Sequence, residues 1–191
     1  MRLVETPLDG VFVVESDKVV DDRGWLLRTF DADVFAARGL ATSYVQTSTS
    51  FNLRAGTLRG LHLQRAPHSE AKLVRSGSGM LWDVAVDVRA GSPTRGRWWG
   101  ILLEAHDGRA LYIPEGVAHG FLTMTDDCAV TYQISAPYVA EAAAGIRWDD
   151  SDLAIEWPRS PTVLSDRDRS LPALRESEFA RSRGPDPEVP T

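Results

Sequence analysis

The segment Met80–Arg89, MLWDVAVDVR, constrains the fold of this chain most strongly, because apolar residues recur at every second position. Such residues share one face only when the backbone is extended. Two glycines just before the segment, Gly77 and Gly79, indicate a turn. We therefore predict a strand whose buried face carries Met80, Trp82, Val84, Val86 and Val88.

Further short β-type runs follow one another closely along the chain. RWWGILLEA and RALYIP flank the turn signal HDG at His106–Gly108, and FLTMTDDCAVTYQIS predicts two strands around Asp126 and Asp127. The apolar run Val11–Val14 predicts another strand that needs a sheet edge to join. Many short strands separated by turns are typical of a sandwich or barrel, so we expect an all-β jelly roll.

Helices are expected to be few and peripheral. DADVFAARGL predicts one, with Asp31 as its N-cap and Gly39 in the left-handed position that follows its end. A second short helix is predicted over Ser170–Phe179, SLPALRESEF. We expect a single domain over residues 1–175 and a polar, proline-rich, flexible tail over residues 176–191.

Composition excludes several classes of function. The 191 residues are 43% hydrophobic, which is enough for one good core, and the formal net charge of −6 argues against a nucleic-acid partner. The single cysteine, Cys128, cannot build a disulfide framework or a thiolate metal site. No apolar run approaches the length of a membrane span, and the first residues lack the apolar core of a signal peptide. We expect a soluble, cytoplasmic protein without a membrane partner.

Two motifs resemble the paired histidine motifs of cupin jelly rolls. GRALYIPEGVAHGF has the second-motif spacing, which ends at His119, and GLHLQRAPHSE supplies His62 and Glu70 of the first motif. Gln64 stands where a second histidine is expected. A metal site of His62, Glu70 and His119 stays open as an alternative, because three imidazole or carboxylate ligands can hold a first-row metal. His68, next to Pro67, is expected on an exposed loop.

A longer series of segments resembles one family in particular. DDRGWLLRTF, TLRGLHLQ, AKLVRSGSG, WDVAVDVRAGSPTRGRW, LYIPEGVAHGF, TYQISAPY, GIRWDDSDLAIEWP and LSDRD occur in that order. Together they resemble the dTDP-4-dehydrorhamnose 3,5-epimerases, cofactor-independent isomerases that act on nucleotide-linked 4-keto-6-deoxy sugars. The resemblance covers residues 10–172. It implies a jelly roll, no cofactor or metal, a homodimer in which N-terminal segments cross to the partner, and a nucleotide-diphosphate sugar as substrate.

The resemblance also implies a role for each of four catalytic residues. His62 of the RGLH motif would be the base, which suits an imidazole because its unperturbed pKa of about 6.5 is close to working pH. Asp168 of LSDRD would orient that imidazole, and Lys72 would stabilise the enolate oxygen. Tyr132 of VTYQIS would be the acid on the opposite face of the sugar. Taken alone, Lys72 is an exposed strand lysine and Tyr132 a core residue with its hydroxyl at the rim.

The resemblance assigns a second set of residues to substrate binding. Guanidinium groups suit the oxygens of a diphosphate, and polar groups suit the nucleoside and sugar. The matching positions are Arg23, Arg28, Gln46, Ser48, Arg59, His119, Tyr138 and Arg167.

This chain departs from the family pattern at four positions. Arg28 replaces an acidic residue, Thr47 and Ser48 replace the Asp-Asn that follows Gln46, and Ala143 replaces a glutamate. A swap of glutamate for arginine reverses a charge, so contacts with the nucleobase cannot stay the same. A carrier other than dTDP, such as CDP, is therefore one prediction, and a specialised antibiotic or surface-glycan sugar is another.

Two alternatives to a cofactor-independent epimerase remain at this point. One is a metal-dependent cupin oxygenase or isomerase that uses His62, Glu70 and His119. Elemental analysis of the purified protein would distinguish it from a cofactor-independent epimerase. The other is a catalytically silent cupin that only binds a sugar nucleotide. The joint presence of His62, Lys72, Tyr132 and Asp168 argues against a silent protein.

Overall fold

The chain folds into two antiparallel β-sheets and a separate hairpin. A computed structural model describes residues 1–180. The strands are β1 Arg2–Glu5, β2 Phe12–Glu15, β3 Lys18–Asp21, β4 Gly24–Leu27, β5 Gln46–Asn52, β6 Leu58–Gln64, β7 Lys72–Ser78, β8 Met80–Asp87, β9 Trp98–Glu104, β10 Arg109–Ile113, β11 Val117–Thr123, β12 Cys128–Ile134 and β13 Ala143–Gly145. Two short α-helices, α1 Ala32–Ala36 and α2 Asp166–Arg169, lie at the periphery.

The order of strands in the sheets is that of a jelly roll. One sheet has six strands in the order β1-β2-β10-β7-β12-β5, and the other has five in the order β13-β6-β11-β8-β9. Strands β3 and β4 form a two-stranded sheet of their own. Apart from the pairs β1-β2 and β8-β9, neighbouring strands in the large sheets are not consecutive in sequence. The predicted all-β jelly roll is confirmed.

The main hydrophobic core lies between the two sheets. Its buried residues come from β7, β10 and β12 on one side, from β8, β9 and β11 on the other and from the loop before β2: Leu8, Val11, Val74, Leu81, Ala85, Leu103, Leu111, Ile113, Val117, Phe121, Cys128 and Val130. Strands β7, β11 and β12 also carry polar side chains, among them Lys72, His119 and Tyr132.

Strand β8 is buried on both faces rather than on one. Trp82, Val84 and Val86 face the cluster outside the five-stranded sheet, as the alternation predicts. The residues at the alternate positions of β8, such as Leu81 and Ala85, face the core between the sheets. The strand is therefore covered on its outer face by another layer of the protein, which is the C-terminal part of the chain.

Each sheet is covered on its outer face. Helix α1 packs its buried Phe35 on the six-stranded sheet. As predicted, the side chain of Asp31 accepts a hydrogen bond from the backbone of Asp33 at the start of α1, and Gly39 follows its end with φ +68°. Residues from Ile146 onwards cover the five-stranded sheet, with Phe179 packed against the same cluster.

The second predicted helix does not form as one α-helix. Residues 174–176 and 178–180 each form a single turn of 3-10 helix. The backbone nearby is bonded elsewhere, since Pro172 accepts from the amide of Arg147, and the amide of Leu174 donates to Asp150 at 2.6 Å. Residues 176–180 of the predicted tail thus belong to these turns, and the rest of that tail lies outside the described residues.

The strand predicted at Val11–Val14 is β2, which lies between β1 and β10 of the same chain. Its hydrogen bonds are therefore satisfied without a partner subunit. None of the helices within residues 1–180 is long and apolar enough to cross a bilayer.

The carboxylate of Asp87 anchors the loop that joins β8 to β9. Its side chain is fully buried, and it accepts hydrogen bonds from Arg89 at 2.7 Å and from Thr94 at 2.6 Å. Burial alone would raise the pKa of this carboxyl, but the hydrogen bonds from Arg89, Ser92 and Thr94 outweigh it and lower the pKa to about 2.

Asp87→Asn is expected to lower the free energy of unfolding at pH 7 by about 2 kcal/mol. The folded pKa lies below the unfolded value, so this contribution is present above about pH 4 and is lost as the pH falls towards 2. Urea unfolding of both proteins across this range measures the difference. A difference that stays constant with pH would contradict the role given to the charge.

Candidate active site

A cavity of about 400 Å³ opens between the sheets at the polar end of the core. We call it the pocket. Strands β5, β7 and β12 of one sheet and β6 and β11 of the other contribute side chains to it, together with the segment around α2. Of the predicted site residues, the pocket is lined by Gln46, Ser48, Arg59, His62, Lys72, His119, Tyr132, Tyr138, Arg167 and Asp168.

Close contact between β6 and β11 sets the position of His62. A Cβ on Gly60 would lie 2.5 Å from the Cα of Gly120, and Gly60 has φ +130°. Only glycine fits this backbone conformation and this spacing without strain. Two residues later, His62 is paired in register with His119, so both imidazoles belong to the same sheet.

His62 and Asp168 form a hydrogen-bonded pair. The Nε2 atom of His62 lies 2.6 Å from Oδ1 of Asp168, and their side chains are 33% and 5% exposed. Ser165 holds α2 in place by accepting a hydrogen bond from the backbone of Asp168. Burial opposes ionisation of Asp168, but hydrogen bonds from His62 and from the backbone of Gly60 outweigh it, so the pKa of Asp168 is lowered. The pair can therefore act as an oriented base.

Lys72 carries a buried ammonium group at the pocket wall. Its Nζ atom lies 2.9 Å from Oε1 of Glu70 and 3.4 Å from the carbonyl oxygen of His62. The side chain is 10% exposed. This position agrees with the role predicted for Lys72. The alternative prediction, an exposed lysine on a strand, is wrong.

Tyr132 lies on the sheet opposite His62. Its hydroxyl is 3.2 Å from Oγ of Ser50, and its ring packs edge-on against His119 with the centroids 6.0 Å apart. Burial raises the pKa of the Tyr132 phenol. The group therefore keeps its proton at neutral pH and can donate it within the pocket.

A second histidine–aspartate pair supports the pocket, and sequence reasoning missed its aspartate. Nε2 of His119 lies 2.7 Å from Oδ1 of Asp83, and both side chains are almost completely buried. Oδ2 of Asp83 has no hydrogen-bond partner within residues 1–180. The available signal was the charge itself, since Asp83 interrupts the apolar strand β8.

Two arginines bring positive charge to the pocket. Arg59 donates from Nε to Oδ1 of Asn52 at 2.8 Å, and Arg167 is exposed at the end of the pocket formed by α2. Guanidinium groups of this kind suit phosphate oxygens.

Arg23 and Arg28 lie outside the pocket. Arg23 belongs to the turn between β3 and β4 and pairs with Asp21 at 2.5 Å, while Arg28 pairs with Asp31 at 2.7 Å. Both guanidinium groups are largely exposed. Neither arginine lines the pocket of its own chain, so their assignment to substrate binding stays a prediction that needs a second copy of the chain.

The three candidate metal ligands are separately engaged. His62 pairs with Asp168, His119 with Asp83, and Glu70 with Lys72. Among residues 1–180, no three His, Cys, Asp or Glu side chains are arranged to hold a metal ion. The predicted independence from metal remains to be tested by activity.

Comparison with known proteins agrees with the resemblance found in the sequence. The family model for dTDP-4-dehydrorhamnose 3,5-epimerase matches residues 5–176. The enzyme of that name from Methanothermobacter thermautotrophicus is 41% identical over 179 residues, which cover 92% of this chain and 96% of the relative.

Solved structures agree as well. The dTDP-4-dehydrorhamnose 3,5-epimerase of Bacillus anthracis, determined with TDP and pyrophosphate bound, superposes with a TM-score of 0.87 at 38% identity, covering 91% of this chain and 99% of the other. A 4-keto-6-deoxy sugar epimerase of the novobiocin cluster of Streptomyces spheroides gives 0.88 at 36% identity, covering 94% and 90%. The chain therefore belongs to the dTDP-4-dehydrorhamnose 3,5-epimerase family and is an isomerase, a sugar-nucleotide epimerase of deoxysugar biosynthesis.

Proposed function

We propose that this protein epimerises a nucleotide-diphospho-4-keto-6-deoxyhexose at C3, C5 or both, without a cofactor. One observation carries the proposal. His62, paired with Asp168 of α2, projects from one sheet and Tyr132 from the other, so a base and an acid flank the same pocket. An epimerase needs this arrangement, because a single group on one face would return the proton to the side it came from.

The first step is removal of a proton from the carbon next to the C4 ketone. The unprotonated nitrogen of His62 takes the proton, and the electron pair of the C–H bond moves towards the ketone oxygen to form an enolate. Asp168 stabilises the imidazolium that results. The ammonium group of Lys72 stabilises the negative oxygen, and this matters most in the transition state, where the charge develops.

The second step returns a proton from the opposite face. The enolate carbon takes the proton of the Tyr132 hydroxyl, and the electron pair moves back from oxygen to restore the ketone. The carbon now has the opposite configuration, and no atom is oxidised or reduced. Subsequent transfer of the proton from imidazolium to phenolate through solvent restores the starting enzyme.

The test is hydrogen exchange in deuterated water with purified protein and several 4-keto-6-deoxy sugar nucleotides. NMR is expected to show deuterium at C3, at C5 or at both, together with inverted configuration at the labelled carbon. Binding of these substrates without exchange at either carbon would instead support the catalytically silent protein.

Nucleotide preference is expected to differ from strict use of dTDP. Gln46 and Ser48 line the pocket, and Ser48 and Thr47 stand where the family pattern has asparagine and aspartate. A hydroxyl cannot reproduce the contacts of an amide or a carboxylate, so discrimination between bases should change. Calorimetric titration with dTDP, UDP, CDP and GDP measures the preference. Selection of dTDP by more than about 100-fold would remove this argument.

A homodimer is also part of the proposal. The β3–β4 hairpin pairs with neither large sheet, and its apolar residues Val19 and Leu26, which are cross-strand partners, are 67% and 72% exposed. Exposed apolar residues grouped in this way are typical of an interface. The same hairpin carries Arg23, so docking on a second copy could bring its guanidinium to that copy's pocket.

Val19→Glu combined with Leu26→Glu is expected to shift the dimer to monomer at micromolar concentration and to weaken nucleotide binding. Two charges would lose their water on association, which costs several kcal/mol. Light scattering and titration with dTDP measure the two effects. A wild-type protein that is already monomeric would overturn the dimer.

We propose a cytoplasmic location as well, supported by a buried cysteine, Cys128, that forms no disulfide.

A further inference from the structure

Glu70 is buried at the pocket wall and has no part in the steps above. Its Oε1 atom lies 2.9 Å from Nζ of Lys72, and the side chains of Lys72 and Glu70 are 10% and 9% exposed. Its other oxygen, Oε2, accepts a hydrogen bond of 2.8 Å from Nε2 of Gln64. One oxygen of the carboxylate therefore pairs with an ammonium group, and the other accepts a hydrogen bond from a side-chain amide.

Gln64 is itself fixed by the backbone around it. Its Oε1 atom accepts a hydrogen bond of 2.6 Å from the amide of Val139. Its Nε2 atom lies 3.0 Å from the carbonyl oxygens of both His68 and Pro137. The side chain is buried, so these bonds are shielded from water. The residue that replaces a cupin histidine thus joins two loops and holds the carboxylate of Glu70 in place.

A lysine side chain needs such support to act at one point. Four rotatable bonds precede Nζ, and an ammonium group has three N–H donors. In this chain the ammonium group is ion-paired with Glu70 and donates to the carbonyl oxygen of His62. With three N–H groups, it can also donate to an oxygen atom within the pocket. Fixed donors lose little entropy when charge develops on their acceptor, which is why preorganised sites are effective.

We propose that Glu70 is a positioning residue for the epimerisation: its carboxylate, 2.9 Å from Nζ of Lys72, holds the ammonium group by an ion pair so that a remaining N–H faces the substrate ketone oxygen. The inference rests on the proposed function, in which Lys72 stabilises the enolate. It concerns Oε1 of Glu70, and Gln64 fixes the same carboxylate through its other oxygen, Oε2.

The test compares Glu70→Met, which keeps volume without an acceptor, with Glu70→Gln, which keeps an acceptor oxygen. Glu70→Met is expected to lower kcat roughly 10- to 100-fold with KM nearly unchanged, because a displaced Nζ loses contact with the transition state. Glu70→Gln should recover kcat to within about threefold of the wild type, since a neutral acceptor is weaker but still present. Glu70→Ala serves if the methionine variant does not fold, and Glu115→Ala, at an exposed position, is the control.

A double-mutant cycle separates positioning from a general structural effect. In a Lys72→Met background, Glu70→Met is expected to change kcat by less than about twofold, because the group it positions is gone. An equal loss in both backgrounds would overturn the proposal, as would wild-type kcat in Glu70→Met, a change in KM alone, or a glutamine variant as slow as the methionine variant.

The same cycle distinguishes this inference from the proposed function. If Lys72→Met alone keeps the wild-type kcat, the role of Lys72 in the proposed function fails. If Lys72→Met is slow and Glu70→Met is as fast as the wild type, only the positioning role of Glu70 fails.

Discussion

His62→Ala is expected to abolish deuterium incorporation and epimerisation together. Without the imidazole, the pocket loses the base that Asp168 orients, while the other imidazole, His119, stays paired with Asp83. General acid–base groups typically contribute 10²–10⁴-fold, so both rates should fall by about that much. NMR of the substrate in deuterated water follows both rates in one sample. The enolate would not form, so Tyr132 and Lys72 could not compensate for the loss.

The chain offers a matched control for this variant. His68 is exposed on the loop after β6, as the sequence predicts, and only its backbone carbonyl takes part in the network of Gln64. His68→Ala should therefore exchange and epimerise at the wild-type rate. Full epimerisation by His62→Ala would show that the base is assigned wrongly, and the other oriented imidazole, His119 with Asp83, would become the candidate.

Local patterns predicted the strands of this fold better than their arrangement. The alternation in Met80–Arg89 requires an extended chain whatever surrounds it, and β8 follows that prediction. It does not reveal that the residues in between are buried too, because the second covering layer comes from residues beyond Ile146. Sheet order depends on pairings between distant strands, and no periodicity within one strand contains that information.

The helix predicted at Ser170–Phe179 shows how tertiary contacts override local preference. Its leucines and charged residues suit a helix when they are considered alone. The amide of Leu174 donates a hydrogen bond to the side chain of Asp150, and the carbonyl oxygen of Pro172 accepts one from the amide of Arg147. These bonds fix the backbone at the start of the segment, and only single turns follow.

The pocket was predictable to different degrees for different residues. His62 and Asp168 are 106 positions apart and lie 2.6 Å from each other, and only the resemblance to a family could pair them in advance. The sequence named Glu70 only as a candidate metal ligand, and Asp83 could have been suspected from the cost of burying a charge. The partner of Asp83 could not, because His119 lies on another strand. The predicted contribution of Arg23 would need a second chain, which no single-chain pattern describes.

Tyr132→Phe is expected to separate exchange from epimerisation. The variant keeps the His62–Asp168 pair and the Lys72 ammonium, so the proton can still be removed and the enolate held. It lacks the only proposed donor on the opposite face, so epimerisation should fall by about 10²–10⁴-fold. Substrate should meanwhile take up deuterium slowly with its original configuration, because the imidazolium returns deuterium to the face from which the proton left. NMR distinguishes the labelled substrate from the epimer.

Tyr44→Phe is the control for loss of a buried tyrosine hydroxyl. Tyr44 packs outside the six-stranded sheet, and its hydroxyl has no partner within residues 1–180, so its removal should leave both rates unchanged. Equal losses of exchange and epimerisation in Tyr132→Phe would mean that this tyrosine also helps to form the enolate. The hydroxyl would then act beside Lys72 on the ketone oxygen, and the final proton would have to come from another group or from water. The family and the fold would stand, but the division of labour between the two sheets would not.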